Sequence, residues 1–441
     1  MSGKRLRLVV IGGGSSYTPE IIEGLLSRRE TFPLGELWLT DIPSGKEKLD
    51  IIAGLTRRMV HKLGDPFTVR TTLDREEALD GADFVLSQFR VGGLDARIRD
   101  ERIPMRYGAL GQETVGAGGF AKALRTIPVA LDICSDMERL CPGAFLVNFT
   151  NPSGVVTEAI SKHSKIKVVG LCNNPINIEN WLAEKFGVRV SDVRVEFVGC
   201  NHLLWGNRVF VRGQDVTREA LQKLGGDSSM SMKNIPAQEW PVDLVTSLGA
   251  FPNPYHLYYY LHDVMLADML EQKRAGRPTR GEEVKQVEAA LFKKFQDPNL
   301  DVKPEELSKR GGALYSEAAV RLIDSIHNDR RDIQCVDTVN RGALLDLPED
   351  VVVEVSCVIT AQGPVPLTVG RLRPQILGLL QIIKAFEALT VRAAVQGDVD
   401  AALQALTLNP LVPSASAARG ILKDVLAENA EYLPQFRSFR H

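Results

Sequence analysis

Three consecutive glycines, Gly12-Gly13-Gly14, stand directly after the apolar run Leu6 to Ile11 and directly before Ser15-Ser16-Tyr17-Thr18-Pro19-Glu20. No other feature limits the possible folds as tightly. A strand that ends in a glycine turn can bring its backbone against a pyrophosphate, and the helix that follows offers free N–H groups and the positive end of its dipole. Proline suits the first turn of that helix, where its missing N–H would have had no partner. The third fingerprint position holds Tyr17 instead of Gly or Ala. Gly12, Gly13, Gly14, Ser15 and Ser16 are thus the candidate cofactor-binding residues.

The unit then repeats. Apolar runs at Glu36 to Thr40, Ala82 to Phe89, Ala144 to Phe149, Lys167 to Leu171 and Val193 to Val198 read as strands, and Pro19 to Arg28 and Lys46 to Leu63 have helical spacing. Strands that are apolar almost throughout and separated by helices predict an α/β fold, a doubly wound Rossmann-type parallel sheet covered on both faces. The second strand ends in Asp41, placed to accept hydrogen bonds from an adenosine ribose, which favours NAD over NADP. Lys46 and Lys48 blur that preference, and a carboxylate there could equally cap the next turn.

After about residue 200 the texture changes. Gly225 to Pro236 reads as a loop, Val284 to Phe295, Ala313 to Asn328 and Arg373 to Gln396 as helices, and Val351 to Ile359 as a β-branched strand. The expected organisation is a dinucleotide-binding domain over residues 1–196 and a mixed α+β C-terminal domain over 197–441. The 441 residues carry 53 basic and 55 acidic side chains, a net charge of −2, which leaves no electrostatic footprint for nucleic acid or an anionic membrane. No run of 18 apolar residues is present, so no bilayer span is expected. Six scattered cysteines with no C-x-x-C pair suit a reduced, cytoplasmic protein without disulfides.

Polar residues recur at the expected C-terminal ends of the strands: Arg90; Asn148 and Asn151-Pro152; Cys172-Asn173-Asn174-Pro175; Cys200-Asn201-His202. Ligands of open α/β sheets bind along that edge. Cys172 and His202 each close a strand, and a thiolate with an imidazole suits a divalent transition metal whose open positions take substrate oxygens or water. A buried thiol and a satisfied core imidazole are the plainer alternative.

Together with Arg90-Val-Gly-Gly, Gly111-Gln-Glu-Thr, Asn148-Phe-Thr-Asn-Pro, Tyr255-x-x-Tyr-Tyr, Val339-Asn-Arg-Gly, Leu345-Asp-Leu-Pro and Leu408-Asn-Pro-Leu, these motifs resemble glycoside hydrolase family 4, in order over almost the whole chain. The resemblance implies a fold like that of lactate and malate dehydrogenases, with NAD⁺ and a divalent metal, usually Mn²⁺, as cofactors. It implies glycoside cleavage by oxidation at C3, elimination, water addition and reduction, an exception to two-carboxylate hydrolysis. By family position Tyr255 takes the C2 proton and Glu113 raises its basicity. Cys172 and His202 hold the metal, while Arg97, Asn151 and Arg280 bind substrate. A phenol, with a reference pKa near about 10, needs cationic help to act as a base near neutrality.

Family members with Cys-Asn-x-Pro resemble 6-phospho-β-glucosidases, whereas 6-phospho-α-glycosidases carry Asp where this chain has Asn173. An amide cannot donate the proton, so the expected substrate is a phosphorylated β-linked disaccharide or aryl glycoside. The same resemblance places the enzyme in the cytoplasm as a homodimer or homotetramer. Another family 4 glycosidase and a 2-hydroxy-acid dehydrogenase are the alternatives, and metal dependence separates the latter.

Overall fold

The computed structural model describes residues 5–310 and 315–439. Its strands are β1 (Leu6–Ile11), β2 (Leu34–Thr40), β3 (Thr68–Thr72), β4 (Phe84–Ser87), β5 (Phe145–Asn148), β6 (Lys167–Gly170), β7 (Val193–Cys200), β8 (Leu203–Val211), β9 (Gln214–Asp215), β10 (Phe251–Pro252), β11 (Ile333–Val339), β12 (Val352–Thr360) and β13 (Gly363–Pro366). A nine-stranded sheet has the order β13-β12-β11-β6-β5-β4-β1-β2-β3. Its parallel part, 3-2-1-4-5-6, is the doubly wound dinucleotide-binding order, in which the crevice opens where β1 meets β4.

The expected helices form at Thr18–Ser27, Lys46–Lys62, Arg280–Phe295 and Pro374–Gln396. The helix expected over 313–328 is observed at Tyr315–His327, with 313 and 314 outside the described residues. Residues 225–236 are irregular as expected. Among the described residues, no helix is long and apolar enough to cross a membrane. None of the six cysteines is in a disulfide.

Three features depart from the sequence expectation. The run Val193 to Val198 is not a sixth parallel strand: β7 turns tightly at Asn201-His202 into β8 and pairs antiparallel with it, in a separate sheet with β9 and β10. A two-residue turn can only reverse a chain, whereas parallel pairing needs a crossover. The strand β3, absent from the sequence reading, lies at the parallel edge, and its side chains TVRTT are only partly covered, which removes the apolar run that marks a buried strand. The sheet is also not wholly parallel, because β11, β12 and β13 extend it antiparallel beyond β6.

That extension carries the sheet across residue 196. The helices Pro374–Gln396 and Ala415–Glu428 share one apolar core with the helix Gly116–Leu140, so the division expected at 196/197 is not a division of the core. A buried polar tie crosses it too. Arg125 forks onto Asp100 through two bonds of 2.8 and 2.7 Å and donates to Asn429 Oδ1 at 3.2 Å. Both charges are essentially inaccessible (1% and 0%). Removing one partner would strand the other without solvent, so Asp100→Ala is expected to lower unfolding stability by about 3–5 kcal/mol. Urea denaturation followed by far-UV circular dichroism checks this, and a loss below about 1 kcal/mol would contradict it.

Candidate active site

The backbone at Gly12 has φ +82°, and a Cβ there would lie 3.1 Å from the backbone of Gln88 and Phe89. Glycine therefore lets β1 turn beneath the loop after β4. At Gly13 the constraint is different: an added Cβ would sit 2.8 Å from Leu39 Cβ, so this residue permits close packing of the turn on β2. Above the turn opens a cleft of about 740 Å³, the size class of a cofactor or ligand pocket.

Gly12, Gly14, Ser15 and Asp41 line the cleft; Gly13 and Ser16 do not. Ser16 is buried, its hydroxyl directed to Glu288 Oε2 at 3.4 Å. Asp41 Oδ2 accepts the Gly14 N–H at 2.9 Å, and its Oδ1 accepts from Ile42 N. One face of this carboxylate thus braces the glycine turn while the residue borders the cleft.

At the other end of the cleft lie Arg90, Arg97, Glu113, Lys122, Asn151, Asn173, His202 and Tyr255. Tyr255 is presented by a short helical turn, Pro254–His256, whose cap is Asn253: Oδ1 accepts the Tyr255 N–H at 2.7 Å, and His256 Nδ1 accepts from Asn253 N at 3.0 Å. The Tyr255 ring stacks on His202, with centroids 4.2 Å apart and planes at 24°. Its hydroxyl meets Thr114 Oγ1 at 3.5 Å. Burial pushes the phenol pKa well above its ordinary value, with the Cys172 and Glu113 charges adding to the rise and Arg97 opposing it. Glu113 acts on the phenol through the field across the site, and burial outweighs the opposing pull of Arg97.

His202 occupies the left-handed region at φ +67°, which costs a non-glycine residue of order 1–3 kcal/mol. Asn253 Nδ2 supports this bend by donating to the carbonyls of His202 and Leu204 at 3.4 and 3.0 Å. Burial, reinforced by the Lys122 charge, lowers the imidazole pKa to about 3, so the ring is neutral. It hydrogen-bonds the Thr114 backbone, and its Nδ1 is buried with no partner. Asn151 Oδ1 is likewise buried and unpartnered. Cys172, just after β6, is buried and does not line the cleft; its Sγ accepts the Asn174 N–H at 3.5 Å at the start of the helix Asn174–Phe186.

A neutral imidazole with an unpartnered Nδ1, a buried sulfur whose charge reaches the Tyr255 ring stacked on that imidazole, and an unpartnered amide oxygen are donor types that fit a divalent transition metal with open positions. Among the described residues no three His, Cys, Asp or Glu side chains cluster as a closed metal cage.

Glu113 is 5% exposed and is gripped by three cations: Arg90, Arg97 Nη1 at 2.9 Å and Lys122 Nζ at 3.0 Å. Burial alone would raise its pKa, but those three charges together hold it well below the ordinary carboxylate value. The second substrate-binding arginine expected from the sequence, Arg280, does not line the cleft. Its guanidinium is engaged by Asn234 Oδ1, Glu283 and the carbonyls of Lys309 and Arg310, because it opens the helix Arg280–Phe295 beside those loops. The sequence reading missed Arg310 and Lys122. Arg310 lies 4.0 Å over the Tyr17 ring and binds Glu288, which also binds Lys48. No local pattern marks it. Lys122 had a signal: a lysine in Gly116-Ala-Gly-Gly-Phe-Ala-Lys122-Ala-Leu, a helix start otherwise made of small and apolar residues.

The model of the family 4 glycosyl hydrolases matches residues 7–188, and that of the C-terminal domain of the same family matches 197–412. A probable 6-phospho-beta-glucosidase of Bacillus subtilis is 51% identical over 98% of both chains. The solved structure of the 6-phospho-beta glucosidase from Thermotoga maritima with manganese, NAD⁺ and glucose-6-phosphate superposes with a TM-score of 0.87, at 36% identity over 97% of this chain and 99% of that one. A lactate dehydrogenase from Cryptosporidium parvum, at 18% identity and a TM-score of 0.53 over 88% of this chain and 98% of that one, shares the fold alone. With both family models matched in order along a dinucleotide-type sheet and its cleft, the chain belongs to the family 4 glycosyl hydrolases.

Proposed function

We propose that the chain hydrolyses 6-phospho-β-glucosides with the help of NAD and a divalent metal such as Mn²⁺, by oxidation at C3, elimination, water addition and reduction. The observation that carries this is the shared cleft: the glycine turn opens into the same space as the stacked pair His202 and Tyr255. When bound, NAD supplies a reversible hydride acceptor and the metal supplies Lewis acidity at adjacent sugar oxygens.

The chain's own residues do the rest. Gly12, Gly14 and Ser15 border the space for the pyrophosphate, and Gly13 and Ser16 shape the turn from behind. Asp41 faces the ribose. His202 Nδ1 and Cys172 Sγ hold the metal, and Asn151 Oδ1 is an acceptor for a sugar hydroxyl. Tyr255 removes the C2 proton and Glu113 sustains its basicity. Arg97, held rigid by Glu101 at 2.8 Å and by Glu113, offers fixed donors to an anionic substrate. Arg280 serves the substrate indirectly by holding the end of the short helix Glu305–Arg310. In this division residues 1–196 bind the dinucleotide and 197–441 complete the sugar and metal site. Asn173 lines the cleft as an amide, which supports a β-linked substrate whose leaving group needs no carboxylic acid at that position. A phosphorylated substrate places the enzyme in the cytoplasm, and the family resemblance is the ground for a homodimer or homotetramer, which light scattering on the purified chain would check.

The test is release of p-nitrophenol from p-nitrophenyl β-glucoside 6-phosphate, with and without Mn²⁺ and NAD⁺ under reducing conditions, beside the α-anomer and the unphosphorylated β-glucoside. Release that needs both additions and occurs only with the phosphorylated β-substrate is expected. Release from the α-anomer instead would move the chain to the α-glycosidases of the family.

A further inference from the structure

The oxidation step leaves one proton unassigned. A hydride can leave C3 only as the O3 hydroxyl gives up its proton, so an acceptor must stand at that oxygen. The carboxylates lining the cleft are Glu20, Asp41, Glu113 and Glu288. Asp41 braces the glycine turn, Glu20 belongs to the helix that follows it, and Glu288 pairs with Lys48 and Arg310, all at the dinucleotide end. Tyr17 lies under Arg310 and Cys172 does not line the cleft, so the charged groups lining it near Tyr255 and His202 are Arg90, Arg97, Glu113 and Lys122. The arginines stay charged, and Glu113 already accepts from three cations, which makes it a poor base.

Lys122 is different in kind. It borders the cleft from the helix Gly116–Leu140, is 3% exposed, and its Nζ meets Glu113 Oε2 at 3.0 Å. The charged and titratable groups facing it are Arg90 from the loop after β4, Arg97 and Asp100 from the helix Gly93–Met105, Glu113 from the intervening loop, and His202 from the β7–β8 turn. Of the three cations on Glu113, Arg90 and Arg97 exert the larger pulls, and both stay in place when a proton leaves Lys122.

We propose that Lys122 is the proton acceptor for the hydroxyl oxidised in the reaction. As the C3 hydride passes to NAD⁺, the O3–H bond breaks, its electron pair becomes the second bond of the C3 carbonyl, and the proton moves to Lys122 Nζ. The final step reverses this, Lys122 returning the proton as hydride returns to C3. The assignment rests on the redox reading of the reaction given above. Burial and the Arg90 charge, against the pull of Glu113, bring the lysine pKa down to about 7, so a substantial neutral fraction exists near neutrality.

The experiment uses p-nitrophenyl β-glucoside 6-phosphate carrying hydrogen or deuterium at C3, with saturating Mn²⁺ and NAD⁺. In the wild-type enzyme kcat is expected to rise with pH through the range about 6 to 8, since the free amine is the active form. Lys122→Met is expected to lower kcat by about 10²–10⁴-fold and enlarge the C3 isotope effect, with KM and NAD affinity changed only a few-fold. Lys122→Arg restores the charge but cannot give up its proton, so it should be as slow as Lys122→Met. Wild-type rates in Lys122→Arg, or a raised KM with kcat and isotope effect unchanged in Lys122→Met, would show a counter-ion and overturn the proposal. Should neither variant fold, a wild-type kcat flat across that pH range overturns it. Failure of the underlying redox reading is separately visible as p-nitrophenol release without NAD⁺.

Discussion

Tyr255→Phe is expected to abolish glycoside cleavage, by at least the about 10²–10⁴-fold assigned to a general base, while leaving the fold and NAD affinity intact. The substitution removes a single oxygen. The ring remains stacked on His202, and the capping interactions of Asn253 involve the backbone N–H of residue 255 and the His256 side chain. The lost contact is the 3.5 Å approach to Thr114 Oγ1, too long to carry much stability. The glycine turn belongs to another part of the cleft, so dinucleotide binding should not feel the change. Burial makes the phenolate of Tyr255 a strong base once formed, and the phenylalanine ring has nothing to take its place. Turnover, NAD titration by fluorescence and exchange of the C2 hydrogen into deuterated water would be measured together. Near-normal rates, or lost NAD affinity, would remove Tyr255 from the proposed role.

The second large effect is expected at the proposed metal ligands. Cys172→Ser should weaken Mn²⁺ binding and turnover by more than the about 10–100-fold typical of losing an outer-shell partner, because a ligand itself is replaced by a harder, less acidic donor. His202→Ala should do the same, and additionally release the ring that stacks on Tyr255. Removing the metal with a chelator should abolish activity of the wild-type enzyme, and added Mn²⁺ should restore it. Manganese binding followed by electron paramagnetic resonance separates a lost ligand from a lost fold, since NAD binding should persist. Unchanged manganese affinity in both variants would show that the thiol and imidazole are structural.

How much of this was legible in the sequence depends on whether a feature is local. The glycine turn, Asp41 at the end of β2 and the Asn, Cys and His residues closing later segments were legible, because a strand end and the turn after it are neighbours along the chain. Cys172 and His202 were paired across 30 residues by the same rule. The strand behind that pairing was misread: His202 borders the cleft from a tight hairpin turn, not from a sixth parallel strand. The edge strand β3 was invisible because a half-exposed TVRTT lacks an apolar run. Arg280 matched a motif yet spends its guanidinium on neighbouring loops. Arg310, on the Tyr17 ring, is a contact between residues nearly 300 apart in sequence.

The sequence by itself determined the doubly wound sheet, the glycine turn and the residue types available for chemistry, since hydrophobic periodicity and turn chemistry act over a few residues. Only the tertiary structure decided the ionisation of the site. Three cations gathered from one loop and two helices hold Glu113 charged, and burial keeps His202 neutral and Tyr255 protonated. Those states are set by desolvation and by charges brought within a few ångströms, and neither exists until the chain has folded.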